Sequence, residues 1–293
     1  SLVHCKDTSE DTFYFYARCW FLAMVASVMN PEVVNHQILT FIGEQGTYKS
    51  SFMLNILPPH LRNYFATKNN SYQLDKDDYL MLAENIIISL EEIDSMTMKE
   101  INQLKAFTTM PQVKERPPYG RHKVLMPRVA SLCATGNNLT FLTDQTGNRR
   151  WLPFHVESID NPWTTDIPYE GMYAQAYALI EAGEQYWLND KQIKELNERN
   201  KQFLTPDPAT EMIVTYFTIP RTESETKYMT ASKIAAKFAP RLTISATKIG
   251  IALANLGYEQ MRNKNGRFWK VADRPEKEID SRMPGEEPEP LPF

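Results

Sequence analysis

Residues 36–57, HQILTFIGEQGTYKSSFMLNIL, decide the fold. An apolar run, 36–42, leads directly into Gly43-Glu44-Gln45-Gly46-Thr47-Tyr48-Lys49-Ser50, and 51–57 continues with helical spacing. Strand, glycine loop and helix together make a natural anion cradle, because backbone N–H groups at the loop and helix start face the ligand. In the P-loop pattern G-x-x-x-x-G-K-[ST], the lysine reaches the β- and γ-phosphates and the hydroxyl ligates Mg²⁺. Gly43, Lys49 and Ser50 fit, and Gly46 adds turn freedom, but Tyr48 stands where the second glycine belongs. Without that glycine the pattern arises by chance roughly 0.1–0.2 times in a chain this long, so its weight comes from context.

The context is α/β. A second apolar run, 85–90 (NIIISL), ends in Glu91-Glu92, and a third, 129–134 (VASLCA), ends in Thr135-Gly136-Asn137-Asn138. Strands alternating with helical stretches predict a sheet with its polar residues gathered at the strands' C-terminal ends. Phosphoryl transfer to water needs a metal-holding carboxylate and a group that orients the water. Glu91 and Glu92 supply both, with Ser50 as the third metal ligand; the alternative is a solvated acidic turn before a helix. Asn137 is placed to sense a γ-phosphate, although Thr-Gly-Asn-Asn is also a plain turn. Arg149 and Arg150 offer planar guanidinium for transition-state charge, or else surface ion pairs.

The 293 residues are 42% hydrophobic and carry 32 Lys and Arg against 36 Asp and Glu, net −4, an ordinary globular composition that excludes disorder across the whole chain. Three scattered cysteines and five histidines exclude a disulfide framework and a structural zinc cluster, and fit a cytoplasmic setting. The apolar stretch 13–29 is broken by Arg18 and falls short of the roughly 20 residues a membrane span needs. It reads as part of a buried helix over 10–29, capped by Asp7, Thr8 or Ser9 and ended by Asn30-Pro31, with no membrane partner. A start at Ser1-Leu2 suggests a piece of a longer polypeptide.

Residues 171–203 have helical spacing throughout, and Thr205-Pro206-Asp207-Pro208 reads as a boundary. Beyond it come helices at 211–217, 230–238 and 245–256, then strands at 258–262 and 267–271 around Asn265-Gly266, a hairpin signal. Three helices and a β-wing predict a winged helix-turn-helix. Residues 221–274 hold 11 Lys and Arg against four Asp and Glu, net +7. Lys248 on the last helix and Arg262, Lys264, Arg267 and Lys270 on the wing make a phosphate footprint, although such modules also bind proteins. Residues 275–293, with five prolines and six acidic groups, read as a disordered tail.

Between the second and third strands, Arg116-Pro117-Pro118-Tyr119-Gly120-Arg121-His122-Lys123 reads as a basic turn. Arg121, His122 and Lys123 suit phosphates and Tyr119 suits base stacking. Alternatively, Arg116, Arg121 and Arg128 contact nucleotide or hold the turn together.

Taken in order, FIGEQGTYKSSF (41–52), SLEEIDS (89–95), INQLKAFTT (101–109), ERPPYGRHKVLMPR (115–128), CATGNN (133–138) and FLTDQTGNRRWLPF (141–154) resemble the virulence-associated E protein family. Its members look like superfamily 3 helicases of the AAA+ class, found in phages and mobile elements and often joined to a primase domain. The resemblance implies an ATPase using ATP and Mg²⁺, acting on single-stranded or forked DNA as a homo-oligomer, a hexameric ring among the forms open to it. Lys49 and Ser50 correspond to the Walker A lysine and hydroxyl, in a nucleotide-binding loop comprising Gly43, Gly46, Thr47, Tyr48 and Ser51 as well. Glu92 and Asp94 match the Walker B acids, with Glu91 beside them. Asn137 matches the sensor, Arg149 or Arg150 reaches a neighbour's ATP, and the 116–123 turn projects into the ring's channel. Two departures are Tyr48 and the lack of an Asp-Glu pair closing the acidic strand.

The resulting expectation is a P-loop AAA+ core at 36–160 with a helical segment before it (1–35), a helical connector (161–205), a winged-helix domain (206–274) and a tail (275–293). Two other readings stay open: an NTP-switched regulator or defence sensor, and a degenerate P-loop scaffold that binds DNA without turnover.

Overall fold

The computed structural model describes residues 2–68, 74–116, 120–142, 148–205, 207–239, 241–263, 266–275 and 278–279. The chain divides into two compact units, Ser1–Thr205 and Pro206–Phe293.

The first unit begins with β1 (Val3–Cys5) and α1 (Glu10–Met29). Ser9 caps α1 through the Thr12 N–H, one of the three capping oxygens predicted, and the helix stops at Asn30. There follow β2 (Ile38–Ile42), α2 (Lys49–Asn55), β3 (Phe65–Lys68), α3 (Lys76–Glu84), β4 (Ile87–Leu90) and α4 (Met98–Thr109). The unit closes with β5 (Gln112–Glu115), β6 (Val124–Pro127), β7 (Ser131–Gly136), β8 (Trp151–Ile159), α5 (Tyr169–Glu181) and α6 (Asp190–Asn200).

Six strands form one sheet in the order β1-β8-β2-β7-β4-β3. All neighbours are parallel except β1, which runs antiparallel along β8 at the edge. The apolar runs that predicted strands are buried from end to end in β2, β4 and β7, as expected where helices cover both faces. Alternation sorts their side chains. Leu39, Phe41, Cys133 and Phe154 face a core shared with Trp20, Leu22 and Met53, while Ile38, Ile42, Leu90 and Leu132 face one shared with Leu82, Leu104 and Phe107.

Helix α1 is long and apolar enough to cross a membrane, yet 56% of its most apolar window is buried within this unit. Trp20 Nε1 donates to the Leu132 carbonyl of β7 at 2.9 Å, pinning the helix to the middle of the sheet.

The predicted helical stretch 171–203 is two helices. Gly183, at φ +78°, stops the chain from continuing α5, and Asn189 opens α6 with a reciprocal capping box to Gln192. Periodicity alone does not reveal the left-handed stop, because the apolar spacing runs on across it. β5 and β6 pair antiparallel as a hairpin, with Glu115 opposite Val124. Of the basic turn 116–123, the described residues 116 and 120–123 lie between these two strands.

The second unit holds α7 (Pro208–Tyr216), β9 (Phe217–Thr218), β10 (Lys227–Met229), α8 (Ala231–Phe238), α9 (Ala246–Asn255), β11 (Gln260–Asn263) and β12 (Gly266–Asp273). Asp207, Thr230 and Ser245 cap the three helices with side-chain oxygens. β12 pairs with β10, β11 and β9, and Ile213, Phe217, Phe238, Leu253 and Val271 fill the core between helices and sheet. The predicted tail lies outside the described residues apart from 275 and 278–279.

Candidate functional site

Five segments converge at the C-terminal ends of the parallel strands: the loop after β2, the start of α2, the turn after β4, the short helix Ile93–Ser95, and the end of β7. This is where ligands bind in open parallel sheets.

The loop 43–48 folds around Lys49. The Lys49 ammonium, largely buried, donates to the carbonyls of Gly43 at 2.8 Å and Glu44 at 2.6 Å, and lies 3.4 Å from Thr47 Oγ1. Burial lowers its pKa from the ordinary lysine value, while the charges of Glu91 and Asp94 pull it back up. Gly43 is required by a close approach: a Cβ there would meet the Val156 carbonyl oxygen of β8 at 2.3 Å. Gly46 sits at φ +87° in open space.

Tyr48 adopts φ +61°, ψ +19°, the left-handed conformation. That explains why the P-loop pattern asks for glycine here, and the tyrosine meets the same backbone demand at about 1–2 kcal/mol. The residue is 42% exposed.

Glu91 is the hub. Its carboxylate accepts hydrogen bonds from Ser50 Oγ of α2 and Ser89 Oγ of β4, both 2.7 Å, and from Thr135 Oγ1 of β7. Three hydroxyls from three elements thus fix one carboxylate beside the lysine loop. Nothing in the spacing of the sequence distinguishes Ser89 and Thr135, and sequence reasoning missed both; the parallel pairing of β4 with β7, Ser89 opposite Cys133, brings them together.

Glu92 is placed differently. It is exposed, at φ +57°, and its carbonyl accepts the N–H and hydroxyl of Ser95. Asp94 accepts the backbone N–H of Asn137 at 3.1 Å, leaving the Asn137 side chain exposed at the end of β7. A Cβ on Gly136 would lie 2.8 Å from Asp94 Oδ1, so this glycine gives the acid its place. Ser51, in the first turn of α2, is half-buried.

Among the described residues no group of three or more His, Cys, Asp or Glu could cage a metal. Ser50 and Glu91 are nonetheless the hard oxygen donors that Mg²⁺ takes when phosphates and water complete its shell.

Arg149 and Arg150 lie elsewhere. They close a short helical turn before β8, level with the start of β2, about 20 Å along the strands from Gly43. Arg149 is exposed and Arg150 half-buried, and both line a cavity of about 300 Å³ with His36, Thr109, Tyr186 and Trp187. They do not join Lys49 within one chain. A second, apolar cavity of about 520 Å³, walled by Phe13, Phe21, Phe52 and Leu179, also excludes Lys49 and Glu91.

Arg128 is a structural group. Fully buried, it donates to the carbonyls of Phe107, Thr108, Ala130 and Asn35, capping the end of α4 at the base of the hairpin. At the hairpin tip Arg121, His122 and Lys123 are exposed, Lys123 lying 3.6 Å from Glu115, and Tyr119 lies outside the described residues. In the second unit Lys248, Arg262 and Arg267 are exposed, Lys270 is paired with Glu259 at 2.7 Å, and Lys264 lies outside the described residues.

No curated protein matches the chain significantly. Among solved structures, the apo C-terminal region of NrS-1 (305–718) gives a TM-score of 0.47 and 12% identity over 90% of this chain and 72% of that one. Its A form gives 0.46 and 13% over 86% and 70%. The virulence-associated protein E-like domain matches residues 2–205. That span covers nearly all of the first unit, and the chain belongs to this family.

Proposed function

We propose that the chain is an ATP-dependent, helicase-like DNA motor of AAA+ type serving the replication of a phage or mobile element, with a P-loop core in the first unit and a winged-helix module in the second. The observation that carries this reading is the hydrogen bond from Ser50 to Glu91 beside the buried Lys49. It joins the phosphate, metal and water functions of an NTPase at one point.

Lys49 exchanges its loop carbonyls for the β- and γ-phosphates. Ser50 and Glu91 would hold Mg²⁺, which when bound would neutralise charge on the phosphate oxygens. Glu91, fixed by Ser89 and Thr135, also orients the attacking water. Glu92 contributes less, being turned to solvent. Asp94 holds the backbone from which Asn137 reaches the γ-phosphate. Arg149, exposed at the far end of the sheet, completes the site of a neighbouring copy, which favours a ring.

DNA contacts come from Arg121, His122, Lys123 and Tyr119 on the hairpin and from Lys248, Arg262, Lys264 and Arg267 on the second unit; Lys270 is partly neutralised by Glu259. Exposed Val124 and Leu125 beside the tip add apolar surface for bases. The left-handed backbone of Tyr48 argues against a retired loop, since it keeps the conformation that the pattern needs.

A strand-displacement assay on forked DNA with ATP tests the motor. Unwinding that stops in Lys49→Ala is expected. ATP hydrolysis without strand separation would instead favour the switch-like regulator.

A further inference from the structure

We propose that the buried Lys68–Asp78 ion pair is a positioning clamp for Glu91, setting how the site responds to Mg²⁺. The inference rests on the nucleotide reading above. Lys68 ends β3 at the sheet edge, and its Nζ lies 2.7 Å from both Asp78 oxygens. Their side chains are only 12% and 8% exposed. The same lysine's carbonyl accepts the Glu91 N–H at 3.1 Å, one residue past the last parallel pair, Lys68 opposite Leu90.

Asp78 is itself anchored. It shares a reciprocal capping box with Asp75, its Oδ2 accepting the Asp75 N–H at 2.8 Å while Asp75 Oδ1 accepts the Asp78 N–H at 3.0 Å. The start of α3 therefore grips the Lys68 side chain, and the Lys68 backbone grips Glu91 from the side opposite β7. Glu91 needs this because the ladder ends there and the chain turns left-handed at Glu92. The hydroxyls of Ser50, Ser89 and Thr135 orient the carboxylate, and the Lys68 carbonyl holds its backbone. Burying an ion pair is a poor route to stability, and apolar replacements of similar volume are commonly neutral. An ion pair buried at the strand end that holds the Glu91 backbone therefore acts as a positioning device.

The test compares wild type, Lys68→Arg and the double variant Lys68→Met/Asp78→Leu, in which the pair is replaced by apolar groups. Binding of a fluorescent ADP is titrated with EDTA and across Mg²⁺ concentrations. Expected are unchanged metal-free affinity in all three, a Mg²⁺ requirement raised about 10- to 100-fold in the double variant, and a near-normal response in Lys68→Arg. Hydrogen exchange gives a second reading on the wild type alone, where the Glu91 amide is expected to be protected like an interior strand amide. A double variant with the wild-type Mg²⁺ response, or a fast-exchanging Glu91 amide, would overturn the clamp alone. Absence of ADP binding by the wild type would overturn the clamp and the nucleotide reading together.

Discussion

Ser50 Oγ and Glu91 Oε2 lie 2.7 Å apart, although 41 residues separate them in the chain. One residue opens the helix after β2 and the other ends the strand two places across the sheet. Their meeting follows from the order β2-β7-β4, in which Thr135 of the intervening strand bonds the same carboxylate.

Glu91→Gln is therefore expected to lower kcat for ATP hydrolysis by about 100-fold or more while leaving nucleotide affinity within a few-fold. Glu92→Gln should lower kcat by less than about fivefold, because its carboxylate is turned to solvent. Steady-state kinetics on the two variants check this assignment, and a larger loss in Glu92→Gln would reverse it.

Arg149 lies about 20 Å along the strands from the Lys49 loop of its own chain. Arg149→Ala is expected to bind ATP normally but hydrolyse it at least 100-fold more slowly. Mixing it with Lys49→Ala should restore part of the activity, since in the proposed ring a mixture of the two variants would form some sites with one intact lysine and one intact arginine. Mixtures no more active than either variant would contradict a shared site.

The glycines divide by what surrounds them. Gly43→Ala and Gly136→Ala force a Cβ against the Val156 carbonyl or Asp94 and Ile42, and each should destabilise the first unit by about 2–3 kcal/mol. Gly46→Ala meets nothing but keeps φ +87°, costing about 1–2 kcal/mol. Gly171→Ala, within α5 and in open space, should be neutral or stabilising by up to about 1 kcal/mol. Chemical denaturation of the four variants gives the ranking.

Burial pushes the Cys133 thiol, in the middle of the sheet, up to about 12 from 9.0. The folded state thus holds this proton where the unfolded chain releases it. Cys133 contributes its full share of stability below pH 9 and loses it as pH rises from 9 toward 12. Cys5, pushed by burial up to about 11, adds to the same alkaline slope. Melting temperatures between pH 8 and 11 should fall less steeply in Cys133→Ala than in wild type.

The strand, glycine loop and acidic strand end could be read from local patterns because each apolar run is continuous and its polar residues stand at one end. The choice of Glu91 over Glu92 could not, since adjacent acids look alike until the chain turns left-handed at Glu92. Ser89 and Thr135 were invisible for a related reason: their role depends on strand order, which periodicity does not encode. The split of 171–203 into two helices escaped because the apolar spacing continues through Gly183. Arg128, one of several arginines near the hairpin, is distinguished only by its burial under four carbonyls.

The most direct test of the account is ATP hydrolysis by the purified chain, with and without single-stranded DNA and over a range of protein concentrations, beside Lys49→Ala. Turnover that DNA stimulates, that rises more than proportionally with protein concentration and that disappears in Lys49→Ala is the expected result. Full turnover in Lys49→Ala would contradict the assignment of this loop as the site of ATP chemistry.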